Sequence, residues 1–181
     1  MPAPAPATGA PTRPARTAPP QPRRLPRNAR RLLLTIHVVT SVGWLGVAYA
    51  LLVMALTAQS SGDAATRLAT YSLMLSFDTA AMLPLGLAAL VTGVILGLGT
   101  HWGLLRHWWV AVKLVLNIAV LVVPMLTRHP ALVDAVDAAR AGTLTEPAMQ
   151  VMDGSIASVI VLTTATVLSV YKPWGKTGAP L

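Results

Sequence analysis

Residues 32–57 read LLLTIHVVTSVGWLGVAYALLVMALT and contain no formally charged side chain. About 20 consecutive apolar residues suffice for a helix to cross the hydrocarbon core of a bilayer. This run exceeds that length, so it decides the class of the molecule: an integral membrane protein. It also holds one ionisable group, His37. Ionisable residues inside a span are costly, and each is a functional-site hypothesis with a partner to be found.

Composition extends the reading to the whole chain. Of 181 residues, 54% are hydrophobic and 11% charged, against about 25% charged in soluble domains. A short soluble chain could not hide that deficit, because it needs a large polar surface. No cysteine is present, which excludes disulfides, thiolate metal sites and cysteine nucleophiles. The formal charge of +8 raises the question of nucleic acid, and position answers it. Seven of the fourteen basic residues lie in the first 31 positions: Arg13, Arg16, Arg23, Arg24, Arg27, Arg30 and Arg31. They abut the apolar run, where an orientation signal belongs. The expected partner is therefore the lipid bilayer, with no nucleic acid.

Residues 1–31 carry nine prolines without helical or strand periodicity. Such a segment cannot bury enough apolar surface to order itself, so a disordered Pro/Ala/Arg-rich tail is expected. A four-span membrane domain is expected over 32–172, with spans at about 32–57, 74–98, 108–127 and 149–171. Between the first two lies the polar link SSGDAATRLATYS. Pro84 should kink or break the second span, because proline removes a helical hydrogen bond. The 128–148 link contains HPALVDAVDAARAG and reads as a short surface helix with Pro130 in its first turn. Residues 173–181 form a C-terminal tail. The fold class is all-α, a four-helix transmembrane bundle.

The basic residues then orient the spans. With the N-terminal tail in the cytoplasm, Arg106, Lys172, Lys176 and the base of Lys113 fall on the same side. Arg67, Arg128 and Arg140 fall outside, as do the six acids. This positive-inside asymmetry places both termini in the cytoplasm and the protein in a bacterial inner membrane. Trp102, Trp108, Trp109 and Trp174 cluster at the inner boundary, as an aromatic belt does.

Small residues mark helix contacts. Ala89, Gly93 and Gly97 share one stripe of the second span, and Gly46 and Ala50 one of the first. GVILG is a GxxxG pattern, which lets backbones approach closely. It serves packing within the chain or, alternatively, a homo-oligomer through Gly93 and Gly97. The hydroxyls of the fourth span, Ser155, Ser158, Thr163, Thr164, Thr166 and Ser169, can bond back to their own helix or across to a neighbour.

Depth brings a candidate site together. His37 lies about 9 Å beyond Arg31 and Lys113 about 10 Å beyond Arg106, at 1.5 Å per residue. Asn117 follows Lys113 by one turn on the same face, and Thr40, Ser41 and Trp44 share a face with His37. His107 and His101 sit in the inner loop. A neutral imidazole suits haem iron or copper, so His37 with His107 or His101 could bind haem b, with Lys113 close by. The alternative is structural: His37 bonds across helices, Lys113 reaches headgroups and the loop histidines, like His129, meet solvent. No catalytic motif is present, and no carboxylate lies mid-membrane for a proton-coupled transporter.

TIHVVTSVGWLGVAYALLVMALT, VTGVILGLGTHWGLLRHWWVAVKLVLN and LSVYKPWGK resemble an uncharacterised actinobacterial family of small four-span integral membrane proteins, over about residues 30–176. The resemblance implies the fold class and no activity. A fainter similarity, through His37, Trp44-Leu45-Gly46 and Lys113, is to the copper-resistance D and protoporphyrinogen-oxidase-type membrane families. It implies haem at the histidine. The expected function is that of a structural or accessory membrane component. The alternatives are a haem- or copper-binding redox protein using His37, and a small transporter.

Overall fold

The computed structural model describes residue 1 and residues 26–99, 107–143 and 147–173. Most of the expected disordered tail, His101, Trp102, Arg106, Glu146, Trp174 and Lys176 lie outside these residues. Among the described residues the chain is helical throughout: α1 Arg27–Ser60, α2 Ala64–Phe77, a π-helical turn Asp78–Met82, α3 Leu83–Leu98, α4 Trp108–Leu126, α5 Arg128–Arg140 and α6 Pro147–Tyr171. Four stretches are long and apolar enough to cross a membrane: α1, α2 through α3, α4 through α5, and α6.

The helices run beyond the expected spans. α1 starts at Arg27, so Arg27, Arg30 and Arg31 at the end of the expected tail are helical. Its 34 residues rise about 50 Å, past the ~30 Å hydrocarbon core, so its basic first turns stand clear of the apolar zone. The link expected at 60–72 shrinks to a few residues. Asp63 caps α2, accepting hydrogen bonds from the Ala65 and Thr66 amides at 3.3 and 2.9 Å and from the Thr66 hydroxyl at 2.6 Å. A carboxylate at this position satisfies amides that have no helical acceptor.

Pro84 does not break its span. The π-helical turn immediately before it widens the helix, with the Leu83 amide bonded to the Asp78 carbonyl. The extra residue absorbs the missing amide and the bulk of the ring near the preceding turn. At the far end of α5, Gly142 takes φ 71°. Its amide and that of Thr143 bond the Ala139 and Ala138 carbonyls at 3.2 and 3.0 Å. Glycine adopts this left-handed conformation without strain.

Packing is that of a bundle in lipid. Leu32, Val38, Val39, Val42, Val53 and Leu56 of α1 are exposed, where acyl chains would cover them. The interior is built from residues spaced alternately three and four apart, most of them small: Trp44, Ala48, Leu51, Ala55 and Ala58 on α1, and Ala148, Val151, Ser155, Ser158, Leu162 and Ala165 on α6. Lipid tails are as apolar as leucine, so association rests on close packing, and small side chains permit it. The Gly46–Ala50 stripe is not the one used. Gly46 is exposed, with nothing within 4 Å of a Cβ placed there. α1 packs on α2, α3 and α6, while α6 also packs on α4 and α5. The hydroxyls of Ser155, Ser158, Thr164, Thr166 and Ser169 donate to carbonyls four residues earlier. That arrangement uses them within α6 rather than along a polar path.

Candidate functional site

Among the described residues, two separate polar clusters lie in this apolar bundle. The first is at the Arg30 end, where the start of α1, the end of α3 and the start of α4 meet. There a cavity of about 270 Å³ is walled by Leu34, Leu90, Val94 and Leu114 and carries Arg30, His37, Lys113 and Asn117.

His37 is fixed by α3. Its Nδ1 lies 3.0 Å from the Ala89 carbonyl oxygen and 3.1 Å from the Thr92 hydroxyl. A carbonyl only accepts, so Nδ1 carries the proton and donates. The Thr92 hydroxyl donates in turn to the Ala88 carbonyl at 2.6 Å, leaving its lone pairs free for Nδ1. Nε2 then holds the imidazole lone pair. This contact depends on Gly93. A Cβ there would stand 2.9 Å from His37 Cε1, closer than non-bonded carbons sit. Gly93 is thus occupied within the chain, and Gly97 lines the same cavity. Within the chain, the GxxxG stripe serves α1–α3 packing and the cavity wall.

Lys113 enters from α4 with Asn117 one turn further on. Among the described residues Lys113 has no carboxylate partner and makes no hydrogen bond. No described residue of the cavity wall is acidic. Three nitrogen bases and an amide therefore face an apolar chamber with no anion of the protein's own.

The other sequence-derived candidates separate. His107 caps the start of α4, its carbonyl accepting from the Val110 and Ala111 amides at 3.0 and 3.2 Å. Its ring is tilted against Trp109 with centroids 6.4 Å apart. It is buried but is not among the residues described on the cavity wall. His101 lies outside the described residues. Thr40 bonds its own helix, through the Ile36 and His37 carbonyls. Among the described residues no three histidine, aspartate or glutamate side chains form a metal-ligating cluster.

The second cluster was missed by sequence reasoning. Asp78, at the start of the π-helical turn, is buried and ion-paired with the buried guanidinium of Arg128. Its other oxygen meets His129 Nδ1 at 3.1 Å. Arg128 Nη1 reaches the Ser158 hydroxyl at 3.3 Å. The Arg128 stem lies against Gly154, where a Cβ would come within 3.2 Å of Arg128 Cβ. His129 is therefore a part-buried hydrogen-bond partner of Asp78 at the start of α5, not the solvated loop histidine expected. Arg128 and His129 begin α5, and α5 packs across α2 and α6. The sequence signal was present: an acid inside an apolar stretch calls for a basic partner.

Residues 31–173 match the family described as "Predicted integral membrane protein (DUF2269)". No curated protein matches the chain. No solved structure does either.

Proposed function

The chain belongs to this family of predicted integral membrane proteins (DUF2269), and from that premise we propose that it is a non-catalytic binding component of a bacterial inner membrane. Its ligand is an anionic amphiphile, an acyl or otherwise apolar body bearing a carboxylate or phosphate. The ligand sits in the cavity at the Arg30 end. The observation that carries this reading is Lys113: a half-buried ammonium on an apolar wall, with His37 and Arg30 close by and no acidic residue described beside it. An unpaired charge in a low-dielectric site is costly. An anion entering the cavity removes that cost, and the apolar lining accommodates the remainder of the molecule.

Orientation supports the same picture. Arg27, Arg30 and Arg31 are exposed, as free positive-inside determinants are. The basic residues at the opposite end are taken up by local partners. Arg67 bonds the Ser61 carbonyl at 3.3 Å, Arg128 pairs with Asp78, and Arg140 pairs with Asp137 at 2.9 Å. We place the Arg30 end, with the segments before α1 and after α6, on the cytoplasmic side, so that the ligand enters from the inner leaflet. Native mass spectrometry tests the reading. Protein released from neutral-lipid nanodiscs doped with an anionic lipid should retain that lipid, and Lys113→Gln should lose it. Equal retention of neutral and anionic lipids would exclude it.

A second reading rests on the tautomer of His37. A backbone carbonyl on Nδ1 is the arrangement that orients an imidazole for metal ligation through Nε2. Haem b is itself an apolar macrocycle with two carboxylates, so Arg30 and Lys113 would meet the propionates and His37 the iron. Bound haem would supply electron-transfer chemistry. The visible spectrum of protein from haem-replete cells discriminates: a Soret band lost in His37→Ala selects haem, and a colourless protein excludes it.

A further inference from the structure

Deeper in the bundle, away from the Arg30 end, a second and much smaller cavity of about 20 Å³ lies between α1, the π-helical turn and α4. Trp44, Asp78, Met82, Val120, Pro124 and Arg128 line it. It shares no described lining residue with the cavity at the Arg30 end. Two of its walls carry buried hydrogen-bond donors that no protein acceptor meets: Trp44 Nε1 and Arg128 Nε. The two residues are only 2% and 1% exposed, so neither donor reaches bulk water. A buried donor left without an acceptor loses its hydration with nothing in return.

We propose that this cavity is a binding site for one internal water molecule, which accepts from Trp44 Nε1 and Arg128 Nε. Three observations fix the ligand class. The first is size: a buried water needs roughly 10–15 Å³, so the space admits one and not two. The second is charge. Arg128 already has its counter-ion in Asp78, whose carboxylate lines the same cavity; an anion would face that carboxylate, so the occupant is neutral. The third is the supply of acceptors, because an internal water keeps about three hydrogen bonds. Proline at 124 has no amide, so the Val120 carbonyl loses its ordinary helical donor, and Val120 and Pro124 both line the site. The water donates there. It completes the donor set of a buried guanidinium: Nη2 to Asp78, Nη1 to Ser158 and Nε to water. It also ties α1 to the α4–α5 junction through Trp44.

X-ray hydroxyl-radical footprinting of the full-length protein in detergent tests this, since radiolysis of a bound water oxidises the side chains beside it. Met82 should be oxidised several-fold faster than Met74; both are buried, at 5% and 0% exposed, but Met74 lines neither cavity. Trp44→Phe, which removes one of the two donors, should bring the Met82 rate down towards that of Met74. A wild-type Met82 rate no higher than that of Met74 would overturn the proposal without recourse to any variant. So would a rate that follows chloride concentration, because the occupant would then be an anion.

Discussion

His37 and Gly93 are in direct contact across the α1–α3 seam, the imidazole edge filling the place where a side chain at position 93 would begin. The ring is held from behind by the Ala89 carbonyl, so it cannot swing away without losing that bond. Gly93→Ala should therefore lower stability by about 1–3 kcal/mol, the usual cost of overpacking. Thermal unfolding in detergent would read this as a drop in Tm. The double variant His37→Ala, Gly93→Ala should lose less than the two single changes added together. Gly46→Ala, where a Cβ meets nothing within 4 Å, should not lower Tm, since alanine is the better helix former.

Asp78 and Arg128 are a buried pair, so removing one partner strands the other charge. Asp78→Asn should cost about 3–5 kcal/mol. Replacing both, as Asp78→Leu with Arg128→Met, should recover most of that loss, because uncharged side chains of similar volume need no counter-ion. Unfolding titrations of wild type, Asp78→Leu, Arg128→Met and the double variant give the coupling; strict additivity would mean that the pair does not act as one unit.

Asp63 lies outside the apolar segment and caps α2. The Thr66 hydroxyl and then the Thr66 and Ala65 amides hold its carboxyl below the usual carboxylate range. The folded chain therefore binds this proton less readily than the unfolded chain. The stabilisation is in place above about pH 4, the ordinary aspartate value. It disappears as pH falls through the lower folded value. The acid-induced loss of stability in wild type should be smaller in Asp63→Asn, which keeps a capping oxygen without the charge.

The chain has no cysteine, so single cysteines report topology without background. Gly62→Cys, in the α1–α2 link, should react with a membrane-impermeant maleimide on intact spheroplasts. Arg27→Cys should react only after permeabilisation. The reverse pattern would turn the bundle over and place the cavity at the outer leaflet.

Much of this architecture could be read from residue order. Four apolar segments with asymmetric arginines specify four spans, and the depth of His37, Lys113 and Asn117 anticipated that they line one chamber. The missed cluster traces to one boundary. With 60–72 as a loop, Asp78 falls at the membrane edge. With Asp63 recognised as a helix cap, it lies four turns inside a continuous helix and demands a partner. Arg128 and His129 could then have been sought in the next link. The choice of packing stripe was not legible. Glycine and alanine recur on several faces of α1, and only the three-dimensional neighbours select Ala48, Ala55 and Ala58 over Gly46 and Ala50. His107 was equally undecidable, since one backbone turn at the start of α4 determines whether its ring enters the cavity or lies against Trp109.

The central claim is that the cavity at the Arg30 end recognises an anionic head on an apolar body. Equilibrium binding of dodecyl phosphate and of uncharged dodecanol, to wild type and to Lys113→Gln in a neutral detergent, tests it most directly. Saturable binding of the phosphate, weakened at least about tenfold in Lys113→Gln (1.4 kcal/mol or more), with dodecanol bound no better by wild type than by the variant, is the predicted result. Dodecyl phosphate binding equally well to both proteins would contradict the account.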